Sequence, residues 1–593
     1  MRKTRSVAFD KPCICLGLLT LMMFFSFGCS SENEDYVSVR EGRFLDSPVE
    51  GLAYICGGQT GVTDKNGTFF YEKGKDITFK IGNIVLGSVP TVLNLPPGEE
   101  APEIITFSPR NLVPEAESNR DPQVTNILQF LQTLDEDYNP DNGIFLSESV
   151  RGEAEKYSAE VDFSLSPDEF EASIQPIIAD LLNEERELVS RIRAQNHFMR
   201  TLIQAILDDA VKLHKVPGVA LVAEVPCAGS ECANGEMDGV DYEDGKFMWK
   251  LSSGYTDMEN ETPVTADTRF RIASLTKTFI AMATLKLVEE GKISLDDTVE
   301  KWLPGLIPQG ADMTVRQVMN HSSGLFNFYH TPSPWFLDFL LRPYGNTWEQ
   351  EELIEISVEH GLNFPSGMGW HYSNTNYVLL GMIIEEVTGD TWEDEIRERF
   401  IMPYGLNDTI IPETGEVYLE GEYAQVEDPD VPPYNTSDAV YAHGYVDLNG
   451  LTGGMYGDPG GVLINASDRE PSALSSSGNM ISTPENLFQW MKLIGEGSLF
   501  GEDSDFVNDN VDEELYFPMN PVVSCGPNVY KNYASNMLIV SGNFPGYDVG
   551  MVYSLDDRIP MAVCSNRTLS SGQIKDIVTF DAIDILGGGL SDI

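Results

Sequence analysis

The stretch RIASLTKTFIAMATLKLVEEG, residues 271–291, carries the strongest structural signal in this chain of 593 residues. Its apolar run, 279–288, stops at two glutamates and Gly291, which is typical of the end of a buried helix. Ser274 stands at the start of that helix and Lys277 follows three residues later, so both side chains lie on one face. A serine hydroxyl is a poor nucleophile until a neighbour accepts its proton. The stretch therefore predicts a helix that presents a serine nucleophile with an amine beside it.

Two further motifs follow downstream in a fixed order. The first is VMNHSSGL, 318–325, and the second is PSGMGWHYSNTNY, 365–377, which leads into an apolar helix that ends at a glycine. Together with S-x-x-K they resemble the serine β-lactamase and penicillin-binding-protein superfamily, in the branch of class C β-lactamases, D-Ala-D-Ala carboxypeptidases and related esterases. The resemblance covers roughly residues 197–575. It implies an α+β fold, a β-lactamase/transpeptidase-like antiparallel sheet flanked by helices, with a helical subdomain that carries Tyr372.

The resemblance also implies roles for individual residues. Ser274 would be the acylated nucleophile, Lys277 the amine that helps to deprotonate it, and Tyr372 the phenol that relays the proton to the leaving group. Asn374 would hydrogen-bond both the substrate amide and Lys277. A lysine cation nearby is expected to lower the pKa of Tyr372 towards the range in which it serves as a base. His321 lies in a turn that is structural in the family, and we assign it no catalytic role.

The third motif of the family departs from its usual pattern in this chain. Alignment on the Pro-Gly-Tyr turn at 545–547 places Val540, Ser541, Gly542 and Asn543 on the strand that lines the site. Ser541 and Gly542 match the family, and we expect the N–H groups of Asn543 and Ser274 to form an oxyanion hole. Val540, however, replaces the usual basic residue, which helps to attract a substrate carboxylate. This departure argues against an efficient β-lactamase or carboxypeptidase and favours an esterase.

Two functions of different class therefore remain open. The first is a serine hydrolase that forms an acyl-enzyme with an ester or amide, either esterase-like or D-Ala-D-Ala-carboxypeptidase-like, and needs no cofactor. The alternative is a catalytically weak envelope protein that keeps the penicillin-binding fold for recognition. The intact residues Ser274, Lys277, Tyr372 and Asn374 favour the hydrolase, because a role in binding alone need not preserve all four.

The N-terminus predicts export. Basic residues at positions 2, 3 and 5 precede an uncharged stretch, 13–28, which is the pattern of a signal peptide. The end of this stretch, FSFGC at 25–29, resembles the lipobox of bacterial lipoproteins, in which the cysteine is lipid-modified and becomes the first mature residue. Ser26 stands where that family usually has leucine, so cleavage without lipid stays open. We expect a protein of the bacterial cell envelope that is anchored to the membrane through Cys29.

The charge of the chain limits its partners. It has 93 acidic and 38 basic residues, a formal net charge of −55, which repels phosphate backbones and excludes nucleic acid as a partner. Hydrophobic residues make up 42% of the chain, enough to exclude wholesale disorder. The expected partners are a small-molecule or peptide substrate and, through the lipid, a membrane.

The sequence divides into a signal peptide, 1–28, a linker, 29–45, and three larger regions. Short alternating runs over 46–107, separated by Asn-Gly and Lys-Gly turns, predict a small β-sandwich module. Amphipathic patterns over 108–196 predict a helical connector, and the hydrolase domain occupies 197–593.

The connector contains one acidic turn. Asp135, Asp137, Asn139 and Asp141 place oxygen side chains at alternate positions, as at the start of an EF-hand calcium loop. The pattern then departs, because proline stands at the position of the sharp-turn glycine and leucine at that of the bidentate glutamate. A Ca²⁺ site and a solvated acidic turn both remain open here.

Overall fold

The fold was derived from a computed structural model of the chain. The structure describes residues 39–91, 105–226, 241–243, 246–329, 347–412, 440–447, 463–465, 471–501, 517–519, 523–568 and 574–587. Cys29 and most of the stretch 411–470 lie outside these ranges. Within them, no helix is both long and apolar enough to cross a membrane.

The N-terminal region forms two small sheets. One has the strand order β5-β1-β8 and the other β4-β3-β6-β7, while β2 pairs with β9. The strands are β1 (Val39–Phe44), β2 (Val49–Glu50), β3 (Ala53–Cys56), β4 (Gln59–Val62), β5 (Thr68–Glu72), β6 (Asp76–Ile81), β7 (Ile84–Pro90), β8 (Ile105–Phe107) and β9 (Ile144–Phe145).

The two sheets face each other across a cluster of phenylalanines. Phe44, Phe69 and Phe107 come from the first sheet, and Phe79 comes from the second. All four are at most 2% exposed, and the ring centres of Phe44 and Phe79 lie 4.7 Å apart. Packing of alternate side chains between two sheets defines a β-sandwich, so the predicted all-β module is present.

Four helices follow, and their buried side chains join the core of the sandwich. A single cluster of buried hydrophobic residues runs from Phe44 in β1 to Phe198 in the fourth helix. The predicted division of this region at residue 107 stays a prediction, and both of its parts share one core. The helices are α1 (Pro122–Thr133), α2 (Glu148–Glu153), α3 (Pro167–Leu182) and α4 (Arg191–Leu213).

The C-terminal region is built on a large antiparallel sheet. Its strand order is β11-β12-β10-β23-β22-β21-β20-β19-β18, and β13 pairs with β12. The strands are β10 (Gly218–Pro226), β11 (Asp241–Glu243), β12 (Lys246–Asp257), β13 (Thr262–Pro263), β18 (Phe517–Pro518), β19 (Val523–Cys525), β20 (Tyr530–Asn532), β21 (Met537–Phe544), β22 (Tyr547–Ser554) and β23 (Ile559–Ser565).

The remaining short strands lie outside this sheet and pair with one another. They are β14 (Phe270–Arg271), β15 (Tyr445–Asp447), β16 (Leu463–Asn465), β17 (Ile481–Ser482) and β24 (Arg567–Thr568). β14 pairs with β17, and β15 lies between β16 and β24.

Within the described ranges, eight α-helices of this region surround the sheet. They are α5 (Thr276–Glu289), α6 (Val299–Trp302), α7 (Val315–Met319), α8 (Gln350–His360), α9 (Asn374–Thr388), α10 (Trp392–Ile396), α11 (Pro484–Gly495) and α12 (Ile574–Gly587). Helices α6 to α10 form the helical subdomain, and its apolar side chains join those of α5 and α11 in one cluster.

Both faces of the sheet are covered, as the alternation in β10 shows. Ala220 and Val222 belong to the cluster on the side of α5 and α11. Val219 and Leu221 belong to a second cluster, which contains side chains of α4 and α12. The α+β class, the antiparallel sheet and the flanking helices are thereby confirmed. The predicted start of the last domain, residue 197, falls inside α4.

Candidate active site

Ser274 and Lys277 lie at the start of α5, where the sequence predicts them. Ser274 occupies a short 3-10 turn, Ala273–Leu275, and the α-helix begins at Thr276. Ala273 has a φ of 49°, a left-handed conformation that non-glycine residues rarely adopt and that concentrates at functional sites. Lys277 Nζ lies 3.0 Å from Ser274 Oγ. The amine is therefore placed to accept the hydroxyl proton.

Lys277 is held in a position that disfavours its charge. Its side chain is fully buried, and Nζ donates a 2.6 Å hydrogen bond to the carbonyl oxygen of Ser477. Burial lowers the pKa of Lys277 well below its usual value. In the described residues, no carboxylate forms an ion pair with it. A neutral amine can donate one proton to Ser477 and accept another from Ser274, which matches a general base.

Tyr372 completes the contacts of the Ser274 hydroxyl. Its hydroxyl oxygen lies 2.7 Å from Ser274 Oγ, and Lys277 Nζ stands 5.0 Å from the centre of its ring. Burial raises the pKa of Tyr372, and the hydrogen bond with Ser274 offsets this only in part. The expectation that Lys277 lowers the pKa of Tyr372 is wrong, because burial of the pair favours the neutral form of both groups. Lys277 is the stronger candidate base, and Tyr372 is a protonated phenol that can pass a proton on.

Asn374 lies at the first turn of α9 and is held by the helical subdomain. Its side-chain amide and its backbone N–H both donate to Asn327 Oδ1, at 3.1 and 3.0 Å. The expected hydrogen bond between Asn374 and Lys277 is absent from the described residues, because the amide is directed to Asn327. This arrangement leaves the predicted contact between Asn374 and a substrate as an untested prediction.

His321 supports the loop that carries Tyr372. Its Nδ1 accepts hydrogen bonds from the backbone N–H of Ser373 at 3.2 Å and from the side chain of Asn376 at 3.1 Å. Burial lowers the pKa of His321 to about 3, so the ring is neutral and Nε2 carries its proton. Since both ring nitrogens are engaged, the ring positions Tyr372 and does not act as a base.

Two residues of the site carry no sequence signal. Asn528 lies in the turn between β19 and β20, where its side-chain amide donates to the carbonyl oxygen of Ser274 at 3.1 Å. Its Oδ1 lies 3.4 Å from Nε2 of His321, so it joins the nucleophile turn to the loop of Tyr372. Ser477 contributes through its backbone only, which no side-chain pattern can reveal. An isolated asparagine some 250 residues from Ser274 offers no spacing to recognise.

The third motif lies on β21, beside the turn that holds Ser274. A Cβ atom added at Gly542 would stand 2.5 Å from the carbonyl oxygen of Ile272, so only glycine permits this close approach. Val540 shares that face of the strand and is fully buried, while Ser541 and Asn543 alternate to the other face. Asn543 is exposed. β21 thus passes beside the Ser274 turn with an apolar side chain, Val540, at the position aligned with the basic residue of the family, and the oxyanion hole of Asn543 and Ser274 stays a prediction.

The side chains of the acidic turn make hydrogen bonds within the fold. Asp135 accepts hydrogen bonds from the backbone N–H groups of Phe145 and Asn139, both at 2.8 Å, and burial raises its pKa to about 6. Asp137 caps the same turn. Asp141 instead bonds to side chains of α4, which hold its pKa at about 2. Among the described residues, no three acidic, histidine or cysteine side chains gather in a way that would hold a metal ion.

Comparison with known families and curated proteins agrees with this geometry. The profile of the family described as Beta-lactamase matches residues 203–577. "Penicillin-binding protein 4*" of Bacillus subtilis (strain 168) is 27% identical over 55% of this chain and 66% of its own length. "Esterase EstB" of Burkholderia gladioli is 28% identical over 35% of this chain and 50% of its own length. The chain thus spans one half to two thirds of the length of these relatives.

A solved structure shows the same fold. D-amino acid amidase from Ochrobactrum anthropi SV3, complexed with L-phenylalanine amide, superposes with a TM-score of 0.50 at 25% identity. The superposition covers 66% of this chain and 98% of the amidase.

Proposed function

Because residues 203–577 place this chain in the beta-lactamase family, whose members are serine hydrolases, we propose that it hydrolyses an ester or amide through an acyl-enzyme on Ser274. One observation carries the proposal. The Ser274 hydroxyl lies within hydrogen-bonding distance of the buried amine of Lys277, at 3.0 Å, and of the Tyr372 hydroxyl, at 2.7 Å. A serine with a neutral base and a proton relay has what nucleophilic catalysis requires.

The reaction follows from these contacts. Ser274 Oγ forms a bond to the carbonyl carbon of the substrate while its proton passes to the neutral amine of Lys277. The developing oxyanion lies where the N–H groups of Ser274 and Asn543 are expected. When the tetrahedral intermediate breaks down, Tyr372 gives its proton to the leaving alcohol or amine and recovers one from Lys277. Water then attacks the acyl–Ser274 bond by the reverse of these proton transfers, which releases the acid and restores the enzyme.

The substrate class is set by Val540. A fully buried valine offers no charge to a substrate carboxylate, the group that penicillins and D-Ala-terminated peptides both present. We therefore infer an acyl substrate without a carboxylate next to the scissile bond, as in a neutral ester. The relatives include an esterase and penicillin-binding proteins, and both activities are open to this fold.

Labelling with two probes tests the proposal. We expect a fluorescent fluorophosphonate to mark Ser274 of the purified protein, and a fluorescent penicillin to mark it far more weakly. Ser274→Ala should abolish the label at this position, whereas Ser498→Ala, at an exposed serine after α11, should not. A protein that neither probe marks at Ser274 would instead be a binding protein that retains the fold.

We also propose that the protein is exported and held at a membrane by lipid on Cys29, next to a signal peptide that ends at Gly28. Cells that express the full chain should incorporate labelled palmitate into the protein and retain it in the membrane fraction. Cys29→Ser should lose the label and release the protein. If the variant and the natural chain fractionate alike, the signal is cleaved without lipidation.

A further inference from the structure

A cavity outside the Ser274 site is lined by none of the residues of that site. It has a volume of about 610 Å³ and opens between the first sheet of the β-module, α4 and β12. Its lining includes Ser47, Asn66 and Arg43 from the module and His197 and Arg200 from α4. The reaction proposed above uses none of these residues.

Three side chains on the wall of this cavity form a connected series. His197 Nε2 lies 2.9 Å from Ser47 Oγ, and His197 Nδ1 lies 3.0 Å from Asp141 Oδ1. Ser47 and His197 are each 4% exposed, and Arg200 bonds to the same carboxylate oxygen of Asp141. A serine, a histidine and an aspartate joined in this order are the parts of a hydrolytic triad, which is identified by geometry and not by sequence position.

The backbone of Ser47 is strained. Its φ is 69°, in the left-handed region that a residue with a side chain rarely adopts. The strain is fixed by a tight turn, in which Leu45 and Pro48 face each other as a β-bridge. Serine nucleophiles of other hydrolases also stand on sharp, strained turns.

The hydrogen bonds of this group are compatible with proton transfer. When Nδ1 of His197 donates to the carboxylate of Asp141, Nε2 is left as an acceptor that faces Ser47. The Ser47 hydroxyl has a second acceptor, the carbonyl oxygen of Pro140 at 2.6 Å. Because both acceptors lie within hydrogen-bonding distance of Oγ, rotation of the hydroxyl hydrogen alone directs the proton to His197, with no movement of heavy atoms.

We propose that Ser47, His197 and Asp141 form a second serine hydrolase site, which cleaves small esters that enter this cavity. Ser47 Oγ bonds to the ester carbonyl carbon and its proton moves to His197 Nε2, while Asp141 stabilises the imidazolium. The alcohol leaves with that proton. Water then attacks the acyl–Ser47 bond, His197 takes the proton of the water and returns it to Ser47 Oγ as the acid departs.

Charged side chains of both signs are part of the cavity lining, which suits a small ester that carries a polar group. They are Arg43, Arg200, Lys212, Asp141, Asp208 and Asp209. The residue after Ser47 is proline, which has no N–H to stabilise an oxyanion. That charge must instead meet side chains of the same wall, for which the amide of Asn66 and the guanidinium of Arg43 are available. A short-chain ester fits these requirements.

The experiment uses the full chain with Ser274→Ala, so that the first site cannot react. Diisopropyl fluorophosphate is small, and a reactive serine displaces its fluoride to gain one diisopropylphosphoryl group. We expect intact-mass analysis to find one such group and peptide mapping to place it on Ser47. Adding Ser47→Ala should abolish the label, and adding His197→Gln should slow it by about 100-fold, the usual contribution of a general base.

Control variants separate chemistry from folding. Ser164→Ala removes an exposed serine hydroxyl whose partner is Asp162, outside the triad and the cavity lining, and it should leave the labelling rate unchanged. Ser47→Ala alone should leave the label on Ser274 intact. If Ser274→Ala takes up no label while it melts like the natural protein, the three residues are only a structural hydrogen-bond network, and the proposal is wrong. Since mapping identifies the labelled serine, failure of one site is distinguished from failure of the other.

Discussion

At the scale of single residues, burial sets the acid–base properties of the site around Ser274. Lys277 and Tyr372 share a closed space, and burial favours the neutral form of each. The spacing of the motifs predicts which residues meet, and the structure brings Ser274, Lys277 and Tyr372 together as expected. It does not predict how far each is buried, because that depends on neighbours such as Ser477 and Asn528 that are distant in sequence. For this reason the sequence alone does not predict the direction in which the pKa of Tyr372 shifts.

The lowered pKa of Lys277 has a consequence for stability. Between its folded pKa and its unfolded value of 10.5, the unfolded chain binds a proton that the folded chain does not. The free energy of unfolding should therefore rise with pH in this window, by up to about 1.4 kcal/mol per pH unit. Below the folded pKa both states carry the proton, and this contribution to the slope vanishes.

Lys277→Met should remove that part of the pH dependence. Denaturant unfolding of both proteins at pH 7 and pH 9 measures it, and other groups cancel in the comparison. The variant should also lose the fluorophosphonate label at Ser274. Equal slopes for the two proteins would mean that Lys277 stays charged in the fold, and the neutral base would have to be another group.

Val540 allows a test of substrate class. A cation introduced at this buried position would lie on the face of β21 that meets the Ser274 turn, where the family has its basic residue. We expect Val540→Lys to increase labelling by fluorescent penicillin at least about tenfold, since one electrostatic contributor of this type is worth about 100-fold in rate.

Val540→Ile is the size control for this change and should give no increase. Retained fluorophosphonate labelling would show that the site of Val540→Lys is intact. If penicillin labelling does not rise in an intact site, carboxylate recognition in this chain depends on a residue other than that at position 540.

At the scale of elements, β21 and the nucleophile turn are fitted to each other through one glycine. The sequence predicts α5 and α9 from their apolar patterns, and the structure contains both helices. The approach of β21 to the turn is not visible in any pattern, because the contact is made by backbone atoms. Only the identity of Gly542, through the resemblance, pointed to it.

Gly542→Ala should disturb this contact. The added Cβ would stand 2.5 Å from the carbonyl oxygen of Ile272 and 2.9 Å from Leu275 Cδ1, so the strand or the turn must shift. A displacement of this size near the reacting atoms should slow labelling of Ser274 by about 10- to 100-fold. Gly152→Ala is the matched control, since a Cβ there meets nothing within 4 Å, and it should leave the rate unchanged.

At the scale of the whole molecule, α4 belongs to two hydrophobic cores. Ala194 and Phe198 pack with the β-module and its helices, whereas Ile203 and Leu207 pack on the large sheet. The sequence predicts a helical region here, but it does not show that the helix belongs to both cores. An amphipathic pattern indicates that one face is buried and does not identify what covers that face. The predicted boundary at residue 197 cuts through this helix for that reason.

Fragments test the role of α4. A chain of residues 215–593 lacks the α4 side chains that, with those of α12, cover one face of the sheet, and each large one contributes about 1.5–3 kcal/mol. Their sum is comparable to the net stability of a whole domain. We expect this fragment to aggregate or to melt far below residues 187–593, which keep α4. Equal melting temperatures in thermal denaturation would contradict the structural importance of the helix.

The uninterrupted length of α4 also determines how a force passes between the two regions of the molecule. A helix of 23 residues is roughly 35 Å long and has no hinge within it. Because one end of α4 packs against the sandwich and the other against the large sheet, a force on the N-terminal module is transmitted through the helix to the hydrolase region. The N-terminal module and the Ser274 pocket therefore keep a fixed distance and orientation relative to each other.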